Sequence, residues 1–439
     1  MTDSSSPLGT SKKRMSPRQQ ALLSFYWFAT NAHWSAIMMV LMPSQIKSAV
    51  GADIKGSMLG LALGAGAFIS MLAAPAFGAL SDRIRLPGGR RKPWMVIGTL
   101  GNVLGLFGLA YLIQPGEAAS LGPWIVAFLW VEMLNNVATA PYSALIPDMV
   151  PAEQRGSASG WLGLMTILGM LFGGITGFMI NGIGITGIYY VLMGIMLLGL
   201  VVTLVFVKEP QIYEVKPFHF SEFWHGLYDP FKHADFTWVF LTRLLVTMGV
   251  YTVQEFLQYF MGDVVKGPFI FFNFGQIASS PEEAVSIFMI PLLLGAVIST
   301  LYAGVLSDKH GRKLMVYISG GLQGLVALIL IFTNNFSLVI LTGIIFGLGY
   351  GAYASVDWAL ASDVLPSLDD YAKDMGVWHV STVLPQVVAT PVAGFLLDTF
   401  QKVGQTNQMP NLGYTVIFII AVIYFFLGTV FVKQIKGVR

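Results

Sequence analysis

Gly78-Ala79-Leu80-Ser81-Asp82-Arg83, with Arg90-Arg91-Lys92 soon after it, returns 226 residues later as Gly304-Val305-Leu306-Ser307-Asp308-Lys309, followed by Arg312-Lys313. Each copy closes a long apolar run. Between Lys55 and Asp82 lie 26 residues without Asp, Glu, Lys or Arg, and a helix across hydrocarbon needs roughly 20. A second echo follows two apolar runs later in each case, Pro147-Asp148-Met149-Val150-Pro151 and Ser362-Asp363-Val364-Leu365-Pro366. Two matches in the same register imply a duplicated chain in which Asp82 and Asp308 end equivalent helices.

Working outward, uncharged intervals locate the remaining helices. They hold 28 residues between Arg18 and Lys47, 24 between Lys92 and Glu117, and 30 between Lys402 and Lys433. The 52 residues between Arg155 and Lys208 are divided by a Gly-rich break at 181–187 and supply two spans. The expected fold is an all-α membrane protein of twelve transmembrane helices in two pseudo-symmetric six-helix bundles. Its expected divisions are a cytoplasmic tail (1–18), the first bundle (19–207), a central loop (208–235), the second bundle (236–433) and a cytoplasmic C-terminus (434–439). Composition agrees: of 439 residues 55% are apolar and 11% charged, against roughly 25% charged in soluble domains.

With both termini inside, the cytoplasmic segments carry 20 basic residues and the external loops four, Lys47, Lys55, Lys266 and Lys402; basic residues accumulate on the cytoplasmic side. This predicts a multi-pass cell-membrane protein with both ends cytoplasmic. A net charge of +2 without basic clusters on one face argues against nucleic acid as a partner. Cys is absent, which removes disulfides and thiolate chemistry. His225, Asp229 and His233 recur every four residues, but Pro230 interrupts the helix that would align them, so no metal is expected. No Gly-x-x-x-x-Gly-Lys-Ser/Thr loop is present to bind ATP, and no nucleophile and base pair suggests an enzyme. The expected partners are a small-molecule substrate and the lipid bilayer, with the chain acting as a monomer.

The repeated loop resembles the Gly-x-x-x-Asp-Arg-x-Gly-Arg-Arg pattern of the major facilitator superfamily. That resemblance implies a gating role for Asp82, Arg83, Arg90 and Asp148 in one half and Asp308, Arg312 and Asp363 in the other, holding the halves together while the pore is open outward. Span 4, Glu132-Met-Leu-Asn135-Asn136 through Pro141 to Ala144-Leu145 and Asp148, is similar to the same stretch in plant sucrose transporters and the related glycoside-pentoside-hexuronide:cation symporters. Ser81-Asp82-Arg83 and Gly89-Arg90-Arg91-Lys92-Pro93-Trp94 are similar to their loop as well. Ser143 departs from the Arg that those sucrose carriers have before Ala-Leu. The resemblance implies sugar or glycoside symport by alternating access, with no cofactor beyond a coupling proton, sodium being the other ion considered. The alternative is a proton-coupled drug or metabolite exporter of the same superfamily; span 5 lacks the Gly-Pro pair of its antiporters.

Ionisable groups inside a span are costly and mark function. Glu132 lies about eleven residues into span 4, where a carboxyl can be enclosed cheaply only when neutral, and is the leading proton-coupling residue. Glu255 and Asp357 are secondary candidates. Arg243 either pairs with Asp357 as a gate or reaches lipid phosphate. A sugar site needs hydrogen-bonding groups and an aromatic face. Tyr251, Gln254 and Gln258; Tyr350, Tyr353 and Asp357; and His379, Thr382 and Gln386 each follow i, i+3, i+7 spacing, which places each set on one helix face. Asn31, Trp34, Asn135 and Asn136 complete the expected substrate contacts.

Overall fold

A computed structural model of the chain describes residues 14–84, 86–209, 228–364 and 371–436. The first helix, α1 (Pro17–Ala36), starts at Ser16, whose hydroxyl accepts from Gln19 N while the Gln19 side chain returns to Ser16 N. This capping box satisfies donors that a helix start leaves free. Through one π-helical turn, Ile37–Leu41, α1 continues into α2 (Met42–Val50). The first half then holds α3 (Lys55–Arg83), α4 (Lys92–Tyr111), α5 (Leu121–Met149), α6 (Arg155–Gly174) and α7 (Ile180–Phe206). The second holds α8 (Ala234–Gln254), α9 (Leu257–Phe260), α10 (Pro281–His310), α11 (Arg312–Phe332), α12 (Phe336–Asp363), α13 (Tyr371–Thr406) and α14 (Leu412–Phe431). A short antiparallel hairpin, β1 (Phe269–Ile270) and β2 (Gln276–Ala278), precedes α10.

Among the described residues, ten helical stretches are long and apolar enough to cross a membrane. One, Arg155–Phe206, has 52 residues, roughly 78 Å of helix at 1.5 Å per residue, more than twice a hydrocarbon layer of about 30 Å. It folds back near Gly184, which takes φ 68° and ψ 172°. Its two arms run along opposite directions of α1: Gly169 and Gly173 abut residues 28 to 36 in ascending order, whereas Gly199 returns to Tyr26 and Ala29. The α1–α2 rod supplies the twelfth crossing; Asn31, His33, Ser35 and Gln45 lower its hydropathy. Large apolar side chains such as Leu104, Val126, Leu301 and Phe332 stand exposed, as a lipid-facing surface requires and a soluble one avoids.

Packing divides the helices six and six. Within the first half α1 packs on α6 and α7, and α5 on α3 and α4; within the second α10 packs on α12, α8 on α14, and α11 on α12 and α14. The halves meet chiefly along α3 with α13 and α6 with α10. These seams are at the end of the molecule opposite the basic loops. A Cβ on Gly60 would stand 2.2 Å from Thr390 O, and one on Gly177 would stand 2.4 Å from Glu282 O, so backbones touch where only glycine leaves room. Asp398 accepts from Gly56 N (3.0 Å) and Ser57 N (2.6 Å), across the halves, at the start of α3. Lys55 pairs with Asp263, which also accepts from Tyr414 Oη at 2.5 Å. Tyr259 Oη donates to Pro43 O at 3.0 Å.

Among the described residues, the ion pairs at the basic end lie within one half. Arg91 reaches Asp82 at 2.5 Å and Ser81 Oγ at 2.5 Å, and Arg90 reaches Asp148 at 2.6 Å. Glu209 accepts from the backbone N–H of Arg90 (2.9 Å) and Arg91 (2.6 Å). Arg312 pairs with Asp363 across α11 and α12. The side chain of Asp308 lies outside the described residues. The halves are locked at the far end and the space between them opens toward the basic end, the opposite of the outward-open state in which these residues are expected to hold the halves together.

Candidate functional site

A cavity of about 400 Å³ lies between the halves, beneath the far-end seams. From α1 come Asn31, Trp34 and Ser35, with Met38 and Met39 from the π-turn. Asn31 donates to Trp27 O at 2.7 Å and Ser35 to Met170 O at 2.9 Å, so both hydroxyl and amide are partly spent on helix packing. The Trp34 ring meets Phe128 edge-on, with centroids 6.3 Å apart. The opposite wall carries Arg243, Tyr251, Gln254 and Glu255 from α8, Tyr350, Tyr353 and Asp357 from α12, and Thr382 from α13.

Arg243 and Asp357 form an ion pair at 2.9 Å, and the guanidinium lies 3.4 Å from the centre of the Trp378 ring. Of the two sequence readings for Arg243, the structure selects this pair; the side chain does not reach for lipid. A planar guanidinium both stacks and pairs, which neutralises a cation and an anion that could not be buried singly. Both partners belong to the second half, so the pair shapes the cavity wall and does not bridge the halves.

Glu255 follows the last residue of α8 at a break in the helix. Phe256 has φ −102° and ψ 4°, and helix resumes only at Leu257. Discontinuous helices at the centre of a membrane protein are where substrate and ion sites form. Glu255 is buried, and its Oε2 has no hydrogen-bond partner. The break also corrects one expectation. Gln258 should share a face with Tyr251 and Gln254, yet it has turned away from the cavity and donates to Ser44 Oγ (2.6 Å) and Glu282 Oε1 (2.9 Å) in the far-end lock.

Four more expected site residues, Glu132, Asn135, Asn136 and Gln386, lie off the cavity wall. Glu132 is buried on α5 against Gly66 of α3, where a Cβ would stand 3.1 Å from Glu132 Cγ. Asn136 donates to Ser70 Oγ and to Glu132 O, both at 2.9 Å, and so ties α5 to α3. Asn135 is buried within the first half. Gln386 touches the site only through Met38, its Nε2 being 3.8 Å from the sulfur, as Gln254 Nε2 is 3.6 Å from Met39 Sδ. The side chain of His379 lies outside the described residues, as does His225; Asp229 pairs with Lys232 at 2.8 Å. Sequence reading missed Met38, Met39, Met170, Thr247 and Gln323 as lining residues. Apolar and thioether positions in a span carry no signal of which face is wet.

The cavity thus combines aromatic rings, adaptable thioethers, a neutralised Arg–Asp pair and one buried carboxylate. The family model of the Major Facilitator Superfamily matches residues 23–269 and 267–434, and the chain belongs to that superfamily of transporters. It is 24% identical over 387 residues to the multi-drug resistance efflux pump PmrA of Streptococcus pneumoniae serotype 4, covering 85% of this chain and 89% of that one. It is 22% identical to multidrug resistance protein 2 of Bacillus subtilis, covering 82% and 84%. Among solved structures, the nucleoside transporter NupG is similar with TM-score 0.70 and 15% identity, covering 96% of this chain and 99% of that chain. The likeness to sugar carriers covers part of the chain, as in 30% identity over 125 residues (26% of this chain) to the general alpha-glucoside permease of Schizosaccharomyces pombe, whereas the two efflux proteins match over more than four-fifths of it.

Proposed function

We propose that the chain is a secondary active transporter that exports amphipathic small molecules in exchange for protons by alternating access, the basic end facing the cytoplasm of the cell membrane. The observation that carries this reading is Glu255: a buried carboxylate without a hydrogen-bond partner on its Oε2, on the wall of a cavity rich in rings and thioethers, open toward the basic end. A cationic or donor-bearing apolar molecule satisfies that oxygen and spreads its body over Trp34, Tyr251 and the methionines. Glu132, enclosed away from the cavity, then carries the coupling proton, since a neutral carboxyl is stable there and an ionised one is not. The full-length efflux relatives support the direction of transport.

A second reading, sugar–proton symport, is favoured by one feature: Asn31, Trp34 and Gln254 share the cavity, and amides beside a ring suit a pyranose. Pyranosides and a dye distinguish the two. In inverted vesicles energised by a proton gradient, ethidium accumulates if export is right. Uptake of labelled disaccharides or glucosides by right-side-out vesicles, without ethidium movement, overturns export in favour of symport.

A further inference from the structure

The cavity leaves Glu132 off its wall, so the coupling proton needs another way in. Among the buried polar atoms of the first half without a hydrogen-bond partner are Nδ1 and Nε2 of His33, Oδ1 of Asn102 and Oδ1 of Asn135. His33 and Asn102 are wholly enclosed and Asn135 is 5% exposed. Helix register places the three between the same two levels of the first half. At one level the Tyr26 and Tyr142 rings are 5.0 Å apart, and at the next the Trp34 and Phe128 rings are 6.3 Å apart. These contacts bracket the stretch of α1 that holds His33 and the stretch of α5 that holds Asn135. Asn102 Nδ2 donates to Val131 O at 3.3 Å, one turn from Asn135. On α5, Phe128, Glu132 and Asn135 follow i, i+4, i+7 and share a stripe.

The unmatched atoms have a definite chemistry. A neutral imidazole offers one N–H donor and one acceptor, and the two amide oxygens only accept. Side chains that would complement them are spent: Tyr26 is 2.7 Å from Thr99 Oγ1, Tyr142 donates to Leu23 O at 2.5 Å, and Tyr189 donates to Gln45 Oε1 at 2.6 Å. Of the titratable groups, Tyr26 and Tyr142 meet at one bracketing level and Glu132 lies on α5 within the bracket. Water donates twice and accepts twice, and buried polar groups of this kind are satisfied by it.

We infer that His33, Asn102 and Asn135 form a hydrated site inside the first half that passes the coupling proton to Glu132. The site begins beside the cavity, because the His33 ring lies 4.6 Å from the ring of cavity-lining Trp34. A water on the Trp34 side takes a proton from the water of the cavity as it gives one to an imidazole nitrogen, so that it stays neutral. The other nitrogen releases its proton to the water held by Asn135, and that water protonates the Glu132 carboxylate. The imidazole ends neutral in its other tautomer, and one proton has moved. The inference rests on the proposed role of Glu132.

The test compares His33→Leu, which removes both nitrogens, with His33→Gln, which keeps a donor and an acceptor, in full-length protein in proteoliposomes. Ethidium binding in detergent and proton-driven ethidium transport are measured for each, with Glu132→Gln alongside. Expected are ethidium binding within twofold of the parent for both His33 variants, transport slowed roughly tenfold or more by Leu, and substantial recovery with Gln. Parent-like transport by His33→Leu, with Glu132→Gln inactive in uphill transport, overturns the relay alone. Uphill transport by Glu132→Gln overturns the role of Glu132 and the relay with it. Equal loss of binding and transport in both His33 variants assigns His33 to packing and also overturns the relay.

Discussion

Removing the Asp398 carboxylate should release the far-end lock. Its two oxygens accept from Gly56 N and Ser57 N at 3.0 and 2.6 Å, where α3 begins, and the side chain is buried in the closed seam. A hydrogen bond to a charged group contributes about 1.5–3 kcal/mol. When the far end opens, water reaches both amides and replaces part of what is lost, so the pair together is counted as one such bond, about 1.5–3 kcal/mol in favour of closure. Asp398→Ala should therefore lower the ratio of far-end-closed to far-end-open molecules by roughly 10- to 10²-fold, at 1.4 kcal/mol per decade. Asp398→Asn should give an intermediate shift, because its amide oxygen still caps a helix. The chain has no Cys, so Thr247→Cys places a single thiol in the cavity wall without background. An impermeant maleimide added on the far-end side should label that thiol about tenfold faster or more in the Ala variant, the rate following the open fraction. A rate unchanged from the parent would refute the argument that the cap holds this end shut.

Three further outcomes follow from the geometry. Trp34→Ala should weaken ethidium binding strongly and Trp34→Phe only in part, since a ring face remains; equal affinity for the parent and the Ala variant in a fluorescence titration would assign Trp34 to packing against Phe128. Arg243→Met or Asp357→Leu alone should destabilise the fold by about 3–5 kcal/mol, because each strands a buried charge, whereas the double variant should recover most of that loss; thermal unfolding of the three in detergent measures it. Asp148→Asn should impair transport more than Asp82→Asn: both carboxylates pair with Arg90 and Arg91, but Asp148 is shielded while Asp82 is more than half exposed and water screens its contacts; ethidium transport at matched expression ranks the two.

Much of the molecule can be read from one sequence because hydrocarbon allows so little. A span must be helical, about 20 residues long and nearly free of charge, so the intervals between charges locate the helices, and the Gly-x-Leu-Ser-Asp echo divides them six and six. Periodicity also shows which side chains share a face, and Tyr350, Tyr353 and Asp357 do reach the cavity together. Which neighbour that face meets is another matter. Glu132 and Asn136 look as well placed for substrate as Glu255, but they face α3, and only the packing of α5 decides that. Gln258 left its stripe because α8 ends at Gln254, and a pattern that assumes 3.6 residues per turn fails across a broken turn. His33 gave no signal beyond its place in an uncharged run; its meaning comes from Asn102 and Asn135, 69 and 102 residues away in sequence. The direction in which the halves are open is likewise tertiary. In the state seen, glycine seams and a charge pair engage across the gap at the far end, and only packing between helices distant in sequence brings those groups face to face.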